Sequence, residues 1–207
     1  MKKEIIPAII VKNQKDLDVA LVKAKFAKRI QIDIMDNKFV KNSSLQFNFK
    51  LKTKAKVEAH LMVQHPLQWI KNHASKVDVI LFQHESKDNN EEVIKAIKAA
   101  KKTPGIVINP ETEIQEIEPI LSKVKEVLVM TVHPGFYGSK FVPETLKKVT
   151  QLRKLKPALN IEVDGGITNK TIARASKAGA NLFVSGSFIM KSPEPEKAAK
   201  ELEKLIH

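Results

Sequence analysis

Short apolar stretches rich in valine and isoleucine return about every 25 residues along the chain, and most are followed by a stretch with helical spacing. The apolar stretches fall at residues 5–11, 29–36, 56–63, 78–85, 104–109, 126–133, 160–164 and 181–185. Several are apolar at almost every position, the pattern of strands covered on both faces. The stretches 16–26, 91–102, 113–123, 143–155, 171–178 and 194–206 instead place apolar residues at the spacing of one helix face. In 91–102, Val93, Ile94, Ile97 and Ala100 take one side and the lysines take the other. Residues 37–54 form a longer, more polar connection that predicts at most a short helix. No low-complexity tract or change in composition divides the 207 residues. Eight strand–helix units in this length predict one α/β domain over residues 1–207, a compact (β/α)8 TIM barrel. A doubly wound open sheet competes, but would use fewer strands.

Composition narrows the function classes. The formal net charge is +13, yet only Arg29, Arg153 and Arg174 among the 36 basic residues are arginines. Aromatic residues make up 5% of the chain and do not interleave with the lysines. Base readout uses the bidentate arginine fork and single-strand binding uses exposed aromatics, so a solvated lysine surface is expected rather than nucleic-acid binding. There is no cysteine, which excludes disulfides, thiolate zinc sites and cysteine nucleophiles. The apolar stretches fall far short of the roughly 18 residues a membrane span needs. The basic, then apolar, start contains Pro7, turns polar at Lys12 and meets no small-residue cleavage site. The expectation is a cytoplasmic protein with neither a membrane nor a nucleic-acid partner.

In a barrel of this kind, functional groups gather at the C-terminal ends of the strands. Those ends are polar here: Gln31, Asp33 and Asp36 on the second strand, His60 on the third, and Gln83, His84 and Glu85 on the fourth. Asn109, Thr131 with His133, and Glu162 with Asp164 follow on the fifth, sixth and seventh. Any one of these carboxylates alone reads as a helix cap or a barrel-mouth acceptor. Several converging on one mouth would repel unless a metal or a proton relieved them. Gln31, Asp33 and Met35 share one face by the two-residue period of a strand. Together Gln31, Asp33, His60 and Asp164 would make an oxygen- and nitrogen-rich site for a divalent metal. Glycine supplies a second signal, because five of the seven glycines fall in three late clusters. These are Gly135-Phe136-Tyr137-Gly138, Gly165-Gly166 and Gly186-Ser187, after the sixth, seventh and eighth strands. Each could serve a tight turn, but consecutive loops of this type at the end of a barrel commonly hold phosphate through backbone N–H groups.

These residues resemble the ribulose-phosphate 3-epimerase family over nearly the whole chain. Residues 31–42 (QIDIMDNKFVKN) resemble the family's HxDxMDGxFVPN signature, and 59–63 (AHLMV) with Pro66 resemble its HLMVxxP motif. Residues 105–112 (GIVINPET) are similar to its fifth strand and Asn-Pro-x-Thr turn, 129–136 (VMTVHPGF) to its sixth strand, and 163–167 (VDGGI) to its seventh. Gly186-Ser187 matches the Gly-Ser pair after the eighth. The fold implied is a TIM barrel of the ribulose-phosphate-binding type.

The resemblance implies epimerisation of D-ribulose 5-phosphate at C3 to D-xylulose 5-phosphate, a step of the pentose phosphate pathway. Asp33 and Asp164 would then be the acid/base pair on opposite faces of an enediolate. Both would bind one divalent metal ion with His60, zinc first, with iron, manganese or cobalt as alternatives. Met35, Met62 and Met130 match methionines around the intermediate, and Asp36 would support the loop that begins at Asn37. Relatives assemble through their barrel surfaces, which implies a homo-oligomer. The chain departs from the family at telling places. Gln31 stands for the first ligand histidine, Ala8 for a substrate-binding serine, Asn37 for a glycine, Tyr137 for a phosphate-side glycine and Gln83 for a second histidine. The alternatives are therefore an epimerase of another ketose phosphate, and a phosphosugar-binding barrel without turnover.

Overall fold

The computed structural model describes residues 1–136 and 138–206. Eight parallel strands run β1 (Glu4–Ile9), β2 (Arg29–Asp36), β3 (Lys56–Met62), β4 (Val79–Gln83), β5 (Thr103–Ile108), β6 (Glu126–Met130), β7 (Asn160–Asp164) and β8 (Leu182–Ser185). Each pairs with the next, and β1 pairs with both β2 and β8, so the sheet closes on itself as a (β/α)8 barrel. A two-residue strand, Ser43–Ser44, adds an antiparallel bridge to the end of β2.

The outer helices are α1 (Gln14–Lys23), α2 (Pro66–His73), α3 (Asn90–Ala99), α4 (Ile114–Ile117), α5 (Leu146–Leu155), α6 (Ile172–Ala178), α7 (Ser187–Met190) and α8 (Pro195–Lys204). Their sequences explain them. In α3, Asn89 caps the N–H groups of Glu91 and Glu92, acidic residues occupy the first turn, and Val93, Ile94 and Ile97 face the sheet. Residues 113–123 break into α4 and a 3-10 turn, Glu118–Ile120, because Pro119 cannot continue the hydrogen-bond ladder. The β2–β3 connection has no helix. Asn37 and Leu45 turn it through the left-handed region, and Phe49 is buried and stacks on His73 at 5.6 Å.

Apolar residues on the outer face of the sheet form one core with the helices. Inside the barrel, side chains at alternate positions make layers. Val79, Leu81, Val107 and Leu128 fill one part, and Ile6, Ala8, Leu182 and Val184 another. Toward the N-terminal end of the barrel the interior is charged. Arg29 meets Glu126 at 2.6 Å and Glu162 at 3.6 Å, and it also contacts Glu58. All four residues are buried. This corrects the expectation for Glu162, whose side chain joins this floor instead of the mouth.

Candidate active site

Strand register assembles the mouth. Asp33 lies beside His60 across the β2–β3 pair, and Asp164 ends β7 beside Met130 of β6. The side chains of Gln31, Asp33, His60 and Asp164 all point inward and meet. The amide nitrogen of Gln31 donates to Asp33 Oδ1 at 2.8 Å and to Asp164 Oδ2 at 2.7 Å. One amide thus bridges two carboxylates from strands that are not neighbours. His60 Nδ1 faces the same two oxygens at 3.3 Å and 3.5 Å, while its Nε2 lies 2.9 Å from the amide nitrogen of Gln83.

Electrostatics follow from burial and proximity. Burial, reinforced by Asp164, pushes the Asp33 carboxyl above its ordinary range despite the His60 imidazole close by and a hydrogen bond from Gln31. Burial opposes charge on His60, but Asp164 and Asp33 override it and lift the imidazole to about 9. Asp33, His60 and Asp164 each present a ligand atom, all within 4.8 Å of one another. Two polar atoms here are buried without a hydrogen-bond partner among the described residues, Gln31 Oε1 and His60 Nδ1. An O,N,O triangle with an orphaned amide oxygen beside it suits a divalent cation.

Above this group opens a cleft of about 540 Å³, counting the part open to solvent. Ala8, Met62 and Met130 line it, as do Gly135, Phe136, Gly138, Gly165, Gly166, Gly186 and Ser187. Met35 lies just outside the cleft, fully buried against Val40 and Met62. Tyr137 falls outside the described residues. The glycine turns need their residue type. Gly165 and Gly166 have φ of +111° and +64°, and a Cβ on Gly165 would stand 2.3 Å from a methyl of Val132.

Other expected residues serve the frame. Asp36 accepts from the N–H groups of Lys38, Phe39 and Gln64, each at 2.8 Å, and steadies the loop beginning at Asn37. Glu85 accepts from the Asn109 N–H at 2.8 Å and from the Thr112 hydroxyl. His133 is exposed and pairs with Glu111, and His84 turns to Asn90 and Glu116, so neither joins the cleft. The sixth apolar stretch ends as a strand at Met130 rather than residue 133. Thr131 donates its backbone N–H to the Asp164 carbonyl at 2.7 Å, and its hydroxyl lies within hydrogen-bond reach of the carbonyls of Asp164 (2.9 Å) and Gly165 (2.6 Å), which fixes the chain on either side of the β7 end. Asn42 does the same across the mouth, donating to the Gly135 carbonyl at 2.7 Å. In the sequence Thr131 was named as a polar strand end, and Asn42 only as the last residue of the 31–42 motif.

A chain named "Ribulose-phosphate 3-epimerase, cytoplasmic isoform" from Oryza sativa subsp. japonica is 40% identical over 186 residues, covering 86% of this chain and 82% of its own length. The ribulose-phosphate 3-epimerase of Schizosaccharomyces pombe is 35% identical over 185 residues, with 86% and 81% covered. Among solved structures, KGPDC from Streptococcus mutans superposes with a TM-score of 0.73 at 14% identity, covering 99% of this chain and 97% of that one. A 3-hexulose-6-phosphate synthase gives 0.69 at 17% identity, covering 99% of this chain and all of that one. At such identities these two show the fold alone. No helix among the described residues is long and apolar enough to cross a membrane. Residues 4–190, from the first strand to the end of α7, match the profile of the ribulose-phosphate 3 epimerase family, and with the two curated relatives this shows that the chain belongs to that family.

Proposed function

We propose that the protein epimerises D-ribulose 5-phosphate at C3, with Asp33 and Asp164 as the acid/base pair. The observation that carries this reading is the meeting of two carboxyl groups, from β2 and β7, on one amide at the base of a glycine-walled cleft. The C3 hydrogen of the substrate is next to a carbonyl, so its removal leaves a planar enediolate that can be reprotonated from either face. Asp33 takes the proton in one direction and Asp164 delivers one to the other face; the roles reverse for the return. The raised affinity of buried Asp33 for a proton suits a group that must hold one between the two steps.

Asp33, His60 and Asp164 would hold one divalent cation, with the Gln31 oxygen as a fourth donor once its amide turns. When bound, such an ion supplies Lewis-acid stabilisation of the negative charge that develops on the substrate oxygens. Three oxygens and one nitrogen form a harder donor set than one rich in histidine. This narrows the lead of zinc over iron, manganese and cobalt. The turns at Gly135–Gly138, Gly165–Gly166 and Gly186–Ser187 would receive the phosphate. We assign the activity to the cytoplasm, in line with the name of the Oryza sativa relative, and to a homo-oligomer, as the family resemblance implies. One observation favours a second sugar: Ala8 gives the cleft wall a methyl group, which makes no hydrogen bond to a substrate hydroxyl, so a longer ketose phosphate belongs in the same assay.

The test is C3 proton exchange of ribulose 5-phosphate in deuterated water, with the protein metal-free and then loaded with manganese, iron or zinc. Exchange should require metal and fall by about 10²- to 10⁴-fold in Asp33→Asn and in Asp164→Asn. Substrate binding without exchange under every metal would sink the epimerase reading and leave a binding protein.

A further inference from the structure

His60 is held from two sides, and only one side faces the cleft. Its Nδ1 looks at Asp33 and Asp164, while Nε2 lies 2.9 Å from the side-chain amide of Gln83, the last residue of β4. Both side chains are fully buried. Gln83 does not line the cleft, so it acts on the site only through His60. Its Oε1 is a second buried amide oxygen without a hydrogen-bond partner among the described residues.

The two ends of a glutamine amide are interchanged by half a turn of its last torsion. In the neutral ring that a metal ligand requires, nitrogen toward the ring means that Nε2 must accept, so the ring proton sits on Nδ1 and points at the two carboxylates. No lone pair then faces the gap between them. With oxygen toward the ring, Nε2–H donates to Gln83, and Nδ1 presents its lone pair between Asp33 and Asp164. Turning the amide sacrifices no bond at Oε1, because that oxygen makes none among the described residues. Both arrangements fill the same space.

Resting on the metal-site reading above, we propose that Gln83 is a positioning residue whose amide oxygen holds the proton of His60 on Nε2, and so makes the Asp33–His60–Asp164 triangle competent for a divalent cation. Gln83 thereby touches neither the substrate nor the ion. Gln31 faces the other side of the same decision. Its NH₂ group bridges the two carboxylates that would ligate the ion.

Manganese affinity, measured by competition with a chelating dye, tests this in the unaltered protein, Gln83→Leu and Gln83→Glu. Leucine fills much of the space without a hydrogen bond, and glutamate offers only acceptors. Gln83→Leu should bind manganese about 10- to 100-fold more weakly, and Gln83→Glu should bind as well as or better than the parent. The ¹⁵N signals of the His60 ring in the metal-free protein, at a pH above about 9 where the imidazole is neutral, should show the proton on Nε2 in the parent and in Gln83→Glu, and on Nδ1 in Gln83→Leu. A merely structural role would not move that signature. Equal affinity in the parent and Gln83→Leu would overturn the proposal. So would weaker binding in Gln83→Glu, which decides the matter if the leucine variant does not fold. Failure of the parent itself to bind manganese, iron or zinc would remove the metal-site reading, and with it this inference.

Discussion

Gly165 shows how much a single position can carry. Its φ of +111° is one that side-chain-bearing residues rarely adopt, and an added Cβ would meet three atoms of Val132 within 2.9 Å. Gly165→Ala should therefore lower stability by about 1–3 kcal/mol through strain and overpacking, read from the midpoint of urea unfolding. It should weaken inorganic phosphate binding as well, since the turn that lines the cleft must move. Asn37 makes the complementary point at φ +60°: a residue other than glycine sits in the left-handed region, where short polar side chains are best tolerated. Residues of this kind were legible in the sequence, because glycines are scarce enough for their clustering to mean something. Gln31 was legible as a departure from a pattern. Its two hydrogen bonds were not, since the face a strand residue shares does not tell which partner across the barrel it reaches.

Among elements, the strands were the easiest to read, because residues buried on both faces leave long apolar runs. Their ends were harder. The run through Thr131 and Val132 stays buried after the strand has ended, so burial alone overshoots the ladder. Pro119 divides the stretch that was read as one helix over 113–123, and α2 rests on a proline at its first position. The long connection after β2 depends on Asp36. Its carboxylate is held below its ordinary range: partial burial works against this, but the N–H groups of Phe39, Gln64 and Lys38 outweigh it. Such a group adds stability that is complete above the unfolded pKa and is lost as pH falls through the lower folded one. Asp36→Ala should cost about 1–3 kcal/mol near neutral pH in chemical unfolding, with the difference from the parent narrowing in acid.

At the scale of the whole molecule, the charged barrel floor was the feature least visible in advance. Glu58 and Glu126 look like ordinary polar interruptions of apolar strands, and only closure of the barrel brings them onto Arg29. Burial raises Glu58 to about 8, against the pull of Arg29, and raises Glu162 well above its usual range. A carboxyl group with a raised folded pKa keeps its proton where the unfolded chain has lost it. Stability should then decline as pH climbs from the unfolded value of 4.5 toward about 8. Gln, which mimics the protonated form, should make this slope shallower. Thermal unfolding of Glu58→Gln and the parent across that range checks it, and parallel curves would contradict the assignment.

The same floor bears on how the chain reaches its shape during synthesis. Arg29 and Glu126 are 97 residues apart, and they join strands on different sides of the barrel. A ribosome delivers the arginine long before that partner exists, so the emerging N-terminal half holds an ion that only Glu58 can compensate. The half-built sheet has reason to stay open and hydrated around Arg29 until β6 arrives, and the latch that completes the interior is supplied by the later-made half of the polypeptide.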